Sequence, residues 1–167
     1  MIIGIMANGP RAGKTTTAGF LSSGLLDHHL TPVVCPFAEE VKRIARLLGW
    51  DGVKDERGRL FLNDLGMGAR AYDKDVWVKL WRKNNDADLF DPTITVLVDD
   101  VRFPNEVDTI KNLGGKIIYV EREGVERPDL ESEGYQLRPQ EYDGYFTNNK
   151  NPESLQAKIS AWLEVYV

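Results

Sequence analysis

Short apolar runs along the chain predict strands that are buried on both faces. The clearest are IIGIM at 2–6, TITVLVDD at 93–100 and KIIYVER at 116–122, and PVVCPF at 32–37 is a shorter one. Continuous apolar runs of this length are typical of parallel strands that helices cover on both sides. With a weaker strand around YFTN at 145–148, the pattern predicts a mostly parallel sheet of about five strands.

Apolar residues three and four positions apart predict helices between these runs. The helical segments are 15–26, 38–50, 73–83, 104–115 and 151–165, and a turn-rich, charged stretch at 51–59 precedes a further short one. We expect Asp73 to cap the third segment, because aspartate accepts hydrogen bonds from the free N–H groups of a first turn. Strands that alternate with helices indicate an α/β fold of three layers, with helices on both faces of the sheet.

Length and charge favour one globular domain, residues 1–167, that binds no polynucleotide. The chain has 21 basic and 26 acidic side chains, for a formal net charge of −5, whereas proteins that bind nucleic acids are usually basic. With 1 cysteine and 2 histidines, neither a disulfide nor a multi-cysteine zinc site is expected. No apolar run has the roughly 18 residues that a membrane helix needs, so we expect no membrane partner and a cytoplasmic location.

The first predicted strand runs directly into a sequence that is almost a phosphate-binding loop. NGPRAGKTTT at 8–17 contains the required Gly-Lys-Thr but has Asn8 where the strict pattern G-x-x-x-x-G-K-[ST] has its first glycine. Asparagine enters the left-handed backbone region more readily than most residues, so Asn8 is acceptable there in a glycine-like conformation. Backbone N–H groups of such a loop and of the following helix point at phosphate oxygens. The predicted ATP-phosphate contacts are Gly9, Arg11, Ala12, Gly13, Lys14, Thr15 and Thr16.

Two carboxylates, Asp99 and Asp100, end the strongest predicted strand. The carboxyl ends of parallel strands form the ligand-binding edge of an α/β sheet, so we expect these acids beside the phosphate loop. One of them would hold Mg²⁺ through water, together with the Thr15 hydroxyl, or would instead cap the following turn. Arg102 follows at the same edge, either as a phosphate clamp or as a structural ion-pair partner.

The middle of the chain, about 37–85, interleaves cations with aromatic side chains and is a candidate acceptor site. Cations such as Lys42 and Arg70 could hold an acceptor phosphate while an aromatic ring stacks on a base. About half of the cations are equally expected on ordinary solvated helix faces. The helical spacing of Trp77 and Trp81 is more typical of core packing than of a base platform.

A long, charged stretch that is poor in aliphatic residues, about 122–144, follows the last strong strand. It is predicted to be a lid that closes over the transferring phosphoryl group and excludes water, with Arg122, Arg127 or Arg138 as the closing cation. The alternative is a surface excursion without a catalytic role.

Two longer stretches resemble the phage-type deoxynucleoside monophosphate kinases, and the resemblance extends over nearly the whole chain. They are PFAEEVKRIARLLGWDGVKDERGRLFLNDLG and DVRFPNEVDTIKNLGGKIIYVER, of which GWDGVKDERGR and DVRFPNE are the most specific parts. The resemblance implies a P-loop kinase fold, ATP as phosphoryl donor, Mg²⁺ as cofactor and a deoxynucleoside 5′-monophosphate as acceptor. Relatives often have aspartate after the Gly-Lys pair, where this chain has Thr15.

The same resemblance assigns roles by position along the chain. The implied catalytic residues are Lys14, Asp100 and Arg102, and the predicted lid adds Arg127 as a candidate catalytic residue. The implied substrate-binding residues are Phe37, Lys42, Arg57 and Arg70. Asp73 and Trp77, from the same mid-chain region, are predicted to bind substrate as well but match no family motif. Pro104, Asn105 and Glu106 complete the DVRFPNE motif, and Ser132 and Glu133 match a short Ser-Glu element of the lid region.

Such a kinase needs no dedicated general base. The second pKa of a phosphate monoester is about 6, so at neutral pH the attacking oxygen is already largely ionised. Two other functions fit the sequence: a P-loop kinase of another small phosphorylated metabolite, and a nucleotide-binding module without catalysis. The accepted base, the choice between ribose and deoxyribose, and homodimerisation are left open.

Overall fold

The computed structural model describes residues 1–125 and 141–167. The strands in these ranges are β1 (Ile2–Ala7), β2 (Thr31–Val34), β3 (Ile94–Val98), β4 (Lys116–Glu121) and β5 (Gly144–Thr147). They form one parallel sheet in the order β2-β3-β1-β4-β5. The helices are α1 (Lys14–Asp27), α2 (Ala38–Leu47), α3 (Glu56–Tyr72), α4 (Val76–Asn84), α5 (Asp86–Phe90), α6 (Pro104–Asn112) and α7 (Pro152–Tyr166). None of these helices is long and apolar enough to cross a membrane.

Helices cover both faces of the sheet, as the alternation of patterns predicts. α1 and α7 pack on one face, where Leu21 and Ile159 are buried, and α4 and α6 pack on the other face with Trp81 and Ile110. The Trp81 indole donates to the Cys35 carbonyl at 2.7 Å and so fixes α4 to the segment that follows β2. α3 packs mainly on α2 and α4, one layer out from the sheet.

Two helix boundaries differ from the sequence prediction because aspartates act at other positions than expected. α3 begins at Glu56, inside the stretch predicted as turns, because the Asp55 carboxylate accepts the Gly58 N–H at 2.7 Å and caps the helix there. α4 begins at Val76 with Asp75 at its N-cap, so the expectation that Asp73 caps this helix is wrong. Asp73 instead ends α3, and its carboxylate accepts the Asp75 N–H at 3.0 Å.

The carboxyl ends of β1 and β3 lie side by side in the middle of the sheet. Gly4 of β1 is opposite Val98 of β3 in parallel register, so the loop after β1 and the acids after β3 leave the sheet at the same edge. The strand order also changes direction here, since β3 and β4 flank β1. Open parallel sheets bind their ligands at such a switch point.

Candidate active site

The loop between β1 and α1 has the backbone geometry of an anion cradle. Arg11 and Gly13 have positive φ angles of 64° and 114°, and left-handed residues in such a loop turn successive N–H groups toward one side. α1 begins at Lys14, and within the described residues no side chain caps it and no acid occupies its first turn. The first N–H groups of the helix are therefore available to an anion.

Gly13 is required by its neighbour as well as by its φ angle. A Cβ at this position would lie 2.4 Å from Nδ2 of Asn148. Asn148 follows β5; its Nδ2 donates to the Ala12 carbonyl at 2.9 Å and its N–H donates to the Glu121 carbonyl at 2.7 Å. Asn148 therefore fixes the second half of the loop. Sequence analysis missed it because it comes from the far end of the chain and belongs to no motif.

Asn8 does not take the glycine-like backbone conformation, a question that the sequence left open. Its φ is not positive; the non-glycine residue of this loop in the left-handed region is Arg11. The Asn8 side chain instead bonds to both backbone groups of Arg122: Nδ2 donates to the carbonyl at 2.8 Å and Oδ1 accepts the N–H at 3.0 Å. Where the strict pattern has glycine, this chain thus has a side chain that is hydrogen-bonded to Arg122. We call the hydrogen bonds of the Asn8 side chain the Asn8 tether.

The two acids after β3 have different surroundings. The Asp100 carboxylate accepts the N–H groups of Phe37 and Ala38, at 2.9 and 2.8 Å, and so anchors the start of α2. Burial raises the pKa of Asp100 above its usual range, and the two N–H donors oppose that rise. Asp99 accepts no hydrogen bond from residues 1–125 or 141–167 and is partly exposed, as is expected of an acid that is available to a cation.

A cavity of about 670 Å³ opens between α2, α3 and the segment after β3. The structure brings five of the predicted residues together in its wall: Phe37, Lys42, Arg70, Asp100 and Arg102. The wall also contains Lys54 and Arg59, two further cations of the predicted acceptor region, together with Asn63 and Phe103, to which sequence analysis assigned no site role. These four residues share their position along the chain, because each lies on α3, just before α3, or within the DVRFPNE motif.

Arg70 lies at the inner end of this cavity in a fixed orientation. Its NH2 donates to Oε1 of Glu106 at 3.0 Å, and its guanidinium carbon is 3.9 Å from the centre of the Phe103 ring. Glu106 is buried, and its other oxygen accepts the N–H groups of Arg102 and Phe103 at 2.7 and 3.1 Å. Burial, followed by the charge of Asp100, raises the pKa of Glu106 to about 7, although the two N–H donors and Arg70 oppose this.

Three predicted substrate residues lie outside the cavity wall. Arg57 lines a separate cavity of about 290 Å³ between the end of α2 and the start of α3. Asp73 pairs with Lys79 at 2.7 Å on the junction of α3 and α4. Trp77 is buried, and its indole donates to the Gly66 carbonyl at 3.0 Å, which agrees with core packing rather than with a base platform.

The predicted lid lies largely outside the described residues. Four of its residues fall within 126–140, namely Arg127, Ser132, Glu133 and Arg138. Arg122, at the start of the predicted lid, is described: its NH1 donates to the Arg11 carbonyl at 3.3 Å, and so it contacts the phosphate loop.

Comparisons with known proteins place the chain near nucleotide kinases. A family model described as deoxynucleotide monophosphate kinase matches residues 59–159, more than half of the chain. A protein of Acanthamoeba polyphaga mimivirus, whose name marks it provisionally as a deoxynucleotide monophosphate kinase, is 37% identical over 82 residues. That alignment covers 48% of this chain and 42% of the viral protein, so the chain spans less than half the length of this relative.

Among solved structures, a mutant of the APS kinase of Mycobacterium tuberculosis has the same fold. It superimposes with a TM-score of 0.50 at 13% sequence identity, over 98% of this chain and 96% of that chain. At this identity the likeness concerns the fold alone, and it confirms the predicted P-loop kinase-like α/β class.

Proposed function

The chain belongs to the deoxynucleotide monophosphate kinase family, and from this we propose that it transfers the γ-phosphoryl group of ATP to a deoxynucleoside 5′-monophosphate. The observation that carries the proposal is the meeting of two anion sites at one edge of the sheet. The phosphate loop follows β1, and the cation-lined cavity is reached from the end of β3, the neighbouring strand. A nucleotide-binding module without catalysis would have no need of the second site.

The donor side uses the loop and the first turn of α1. We assign the triphosphate to the backbone N–H groups around Gly13 and to the Lys14 ammonium, which adds a mobile positive charge. Gly9, Arg11, Ala12, Thr15 and Thr16 complete the proposed contacts. Because these groups are in place before the reaction, they stabilise the charge that shifts toward the leaving phosphate without reorganising.

The acceptor side uses the cavity between α2 and α3. Arg70, held by Glu106 and Phe103, presents a guanidinium whose orientation is fixed before a ligand arrives. A guanidinium is suited to a phosphate because it can donate two parallel hydrogen bonds. Phe37 and Lys42 line the same cavity and would contact the rest of the nucleotide. The monophosphate oxygen is already largely ionised at neutral pH, so the task of these residues is alignment and charge neutralisation.

The residues at the sheet edge fit Mg²⁺ as a cofactor. The Thr15 hydroxyl and the Asp99 carboxylate form an oxygen-only donor set, and Mg²⁺ typically takes one or two such protein ligands and completes its shell with water and substrate phosphates. The described residues contain no cluster of three or more metal-binding side chains, in agreement with a cation that depends on the nucleotide for its other ligands. When bound, it neutralises charge on the transferring phosphates.

Asp100, Arg102 and Arg127 then have separate proposed tasks. Asp100 holds α2 and thereby one wall of the acceptor cavity, since both of its oxygens bond to the helix start. Arg102 lines the cavity and is exposed, so it can reach the phosphoryl group between the two sites. A catalytic task for Arg127 rests on the predicted lid and stays a prediction.

A coupled kinase assay tests the proposal. The four common deoxynucleoside monophosphates and their ribose counterparts are offered with ATP and Mg²⁺, and ADP formation is followed. We expect stimulation by at least one deoxynucleotide above the rate without acceptor, which measures background hydrolysis of ATP. If none stimulates but another phosphorylated metabolite does, the substrate assignment fails. If ATP binds and no acceptor gives a product, the chain is a binding module.

A further inference from the structure

The side chain of Asn8 makes more hydrogen bonds than a residue that merely replaces glycine would need. Its Oδ1 accepts the Arg122 N–H at 3.0 Å, and its Nδ2 donates to the carbonyls of Arg122 at 2.8 Å and of Val125 at 3.3 Å. Its backbone N–H donates to the Val120 carbonyl at 3.2 Å. The first residue of the phosphate loop is thus joined by one hydrogen bond to β4 and by three to the segment that follows β4.

These hydrogen bonds extend the pairing of β1 with β4 by one step beyond the end of β1. β1 pairs with β4 in parallel up to Ala7, which is opposite Val120. One residue later the side-chain amide of Asn8 takes the place of a peptide group, because it both donates to and accepts from the backbone of Arg122. Glycine has no group that can do this, so the strict loop pattern would end the pairing at this point.

The Arg122 side chain in turn bonds to the phosphate loop. NH1 of Arg122 donates to the carbonyl of Arg11 at 3.3 Å. Arg11 has a φ of 64°, a backbone region that is strained for a residue with a Cβ and therefore needs support from its surroundings. Arg11 comes two residues before Gly13, so the bonded path from Asn8 ends next to the residues assigned to phosphate.

We infer that Asn8 is a positioning residue that holds the phosphate loop in its binding conformation before a nucleotide arrives. The inference rests on the proposed function for the identity of the ligand and adds how the loop is held. A loop that is already ordered does not lose further conformational entropy on binding, and this raises its affinity for the ligand. Asn8 would therefore act on the affinity for ATP through the loop and would not touch the nucleotide.

The deciding variant is Asn8→Gly, because it restores the strict loop pattern while it removes the tether. Dissociation constants for ATP and ADP are measured by calorimetry on wild type and variant. Steady-state kinetics with both substrates then separate the KM for ATP, the KM for the monophosphate and kcat. We expect the affinity for ATP to fall at least about tenfold and the KM for the monophosphate to change less than about twofold, since the tether bonds to the donor loop alone.

Two further variants keep the test decisive. Asn8→Ala removes the same bonds without adding glycine flexibility, so it replaces Asn8→Gly if that variant does not fold. Asn85→Gly is the matched control: Asn85 lies between α4 and α5, and its Nδ2 also donates to a backbone carbonyl, that of Trp81 at 2.8 Å. We expect the control to bind ATP as wild type does.

The possible results separate the inference from the proposed function. If wild type binds ATP and Asn8→Gly binds it equally or more tightly, Asn8 is only a stand-in for glycine and the inference is overturned while the proposed function stands. A lower melting temperature with unchanged ATP affinity overturns it as well, because that is the mark of a purely structural residue. If wild type binds neither ATP nor ADP, the proposed function fails, and the inference fails with it.

Discussion

Lys14 is the first residue of α1 and follows Gly13, whose left-handed backbone begins the helix. In this place its ammonium adds a positive charge to the N–H groups of the helix start. We expect Lys14→Met to lower turnover at least about a hundredfold, the scale for the loss of one preorganised charge contact, without unfolding the protein. Lys83→Met, on the exposed end of α4, is the control. Wild-type turnover by Lys14→Met would contradict the assignment of the loop.

Arg70 lines the cavity that we propose for the acceptor, and its loss should therefore affect one substrate more than the other. We expect Arg70→Ala to raise the KM for the monophosphate at least about tenfold, because a charge-assisted contact to a phosphate is removed, and to leave the KM for ATP nearly unchanged. Arg82→Ala on the outside of α4 serves for comparison. A larger rise in the KM for ATP would move Arg70 to the donor side.

Glu106 should give the stability of the protein an unusual dependence on pH. Its pKa is raised from 4.5 to about 7 in the folded chain, so between these values the folded state binds more protons than the unfolded state. The free energy of unfolding therefore falls as the pH rises through this window, by up to about 3 kcal/mol from this group at about 1.4 kcal/mol per pKa unit. Glu106→Gln removes the titration.

Denaturant titrations between about pH 5 and pH 8 measure this effect. We expect wild type to lose stability relative to Glu106→Gln as the pH rises, because only wild type must ionise a buried carboxyl. Asp108→Asn changes an exposed acid of the same helix and should keep the wild-type slope. Parallel curves for wild type and Glu106→Gln would show that Glu106 is already ionised at low pH, as in an ordinary ion pair with Arg70.

Single residues of the site differ in how far the sequence could predict them. Lys14 and Arg70 follow from motifs, because a motif fixes chemistry and local spacing together. Asn8 was correctly placed in the loop, but its interaction could not be read from the sequence, since Arg122 becomes its neighbour only when β1 pairs with β4. Asn148 reaches the loop from beyond β5 in the same way.

At the scale of elements, the start of α2 is bound to the end of β3 by a single carboxylate. Asp100 accepts the N–H groups of Phe37 and Ala38, and α2 forms one wall of the proposed acceptor cavity. We expect Asp100→Ala to lower the free energy of unfolding by about 2 kcal/mol, the scale for hydrogen bonds to a charged group. The KM for the monophosphate should rise as α2 loses its anchor, and denaturant titration and kinetics measure the two effects.

The adjacent acid is a matched control for this prediction. Asp99 has none of these bonds within the described residues and is proposed to face the cation. Asp99→Asn should therefore keep the stability of wild type and require more Mg²⁺ for half-maximal rate. If the two variants exchange these effects, so that Asp99 stabilises and Asp100 governs the need for Mg²⁺, our assignment of the pair is wrong.

Elements were predictable where burial alone decides the pattern. β1, β3 and β4 are covered on both faces, so their apolar runs have no competing interpretation. α3 is different: it lies one layer out, and its polar positions face the acceptor cavity, where Arg59 and Asn63 lie. Its start at Glu56 therefore looks like a charged turn in the sequence, and the helix is set by the Asp55 cap.

At the scale of the whole molecule, the order of the strands explains why distant sequence segments act together. The connection from β1 passes through α1 to β2 at the edge of the sheet, and the chain then returns to β3 beside β1. The loop after β1 and the segments after β2 and β3 consequently meet at the carboxyl edge. The sequence could predict that the site lies at this edge, because it predicts a mostly parallel sheet. The order in which the strands pair could be learned only from the structure.

This arrangement predicts that one molecule can occupy both anion sites. An adenosine joined through its 5′-pentaphosphate to a deoxynucleoside should bind with its adenosine end on the phosphate loop and its deoxynucleoside end in the cavity. Because the second site is then filled at a high effective concentration, we expect an inhibition constant at least about tenfold below the KM of either substrate.

The pattern of competition tests the geometry directly. The two-headed inhibitor should compete with ATP and with the monophosphate, whereas adenosine 5′-tetraphosphate, which lacks the second nucleoside, should compete with ATP alone. Arg70→Ala should weaken the two-headed inhibitor more than the tetraphosphate, since Arg70 lies in the cavity wall. Competition of the two-headed inhibitor with ATP alone would mean that the cavity between α2 and α3 is not the acceptor site, even if the chain proves to be a kinase.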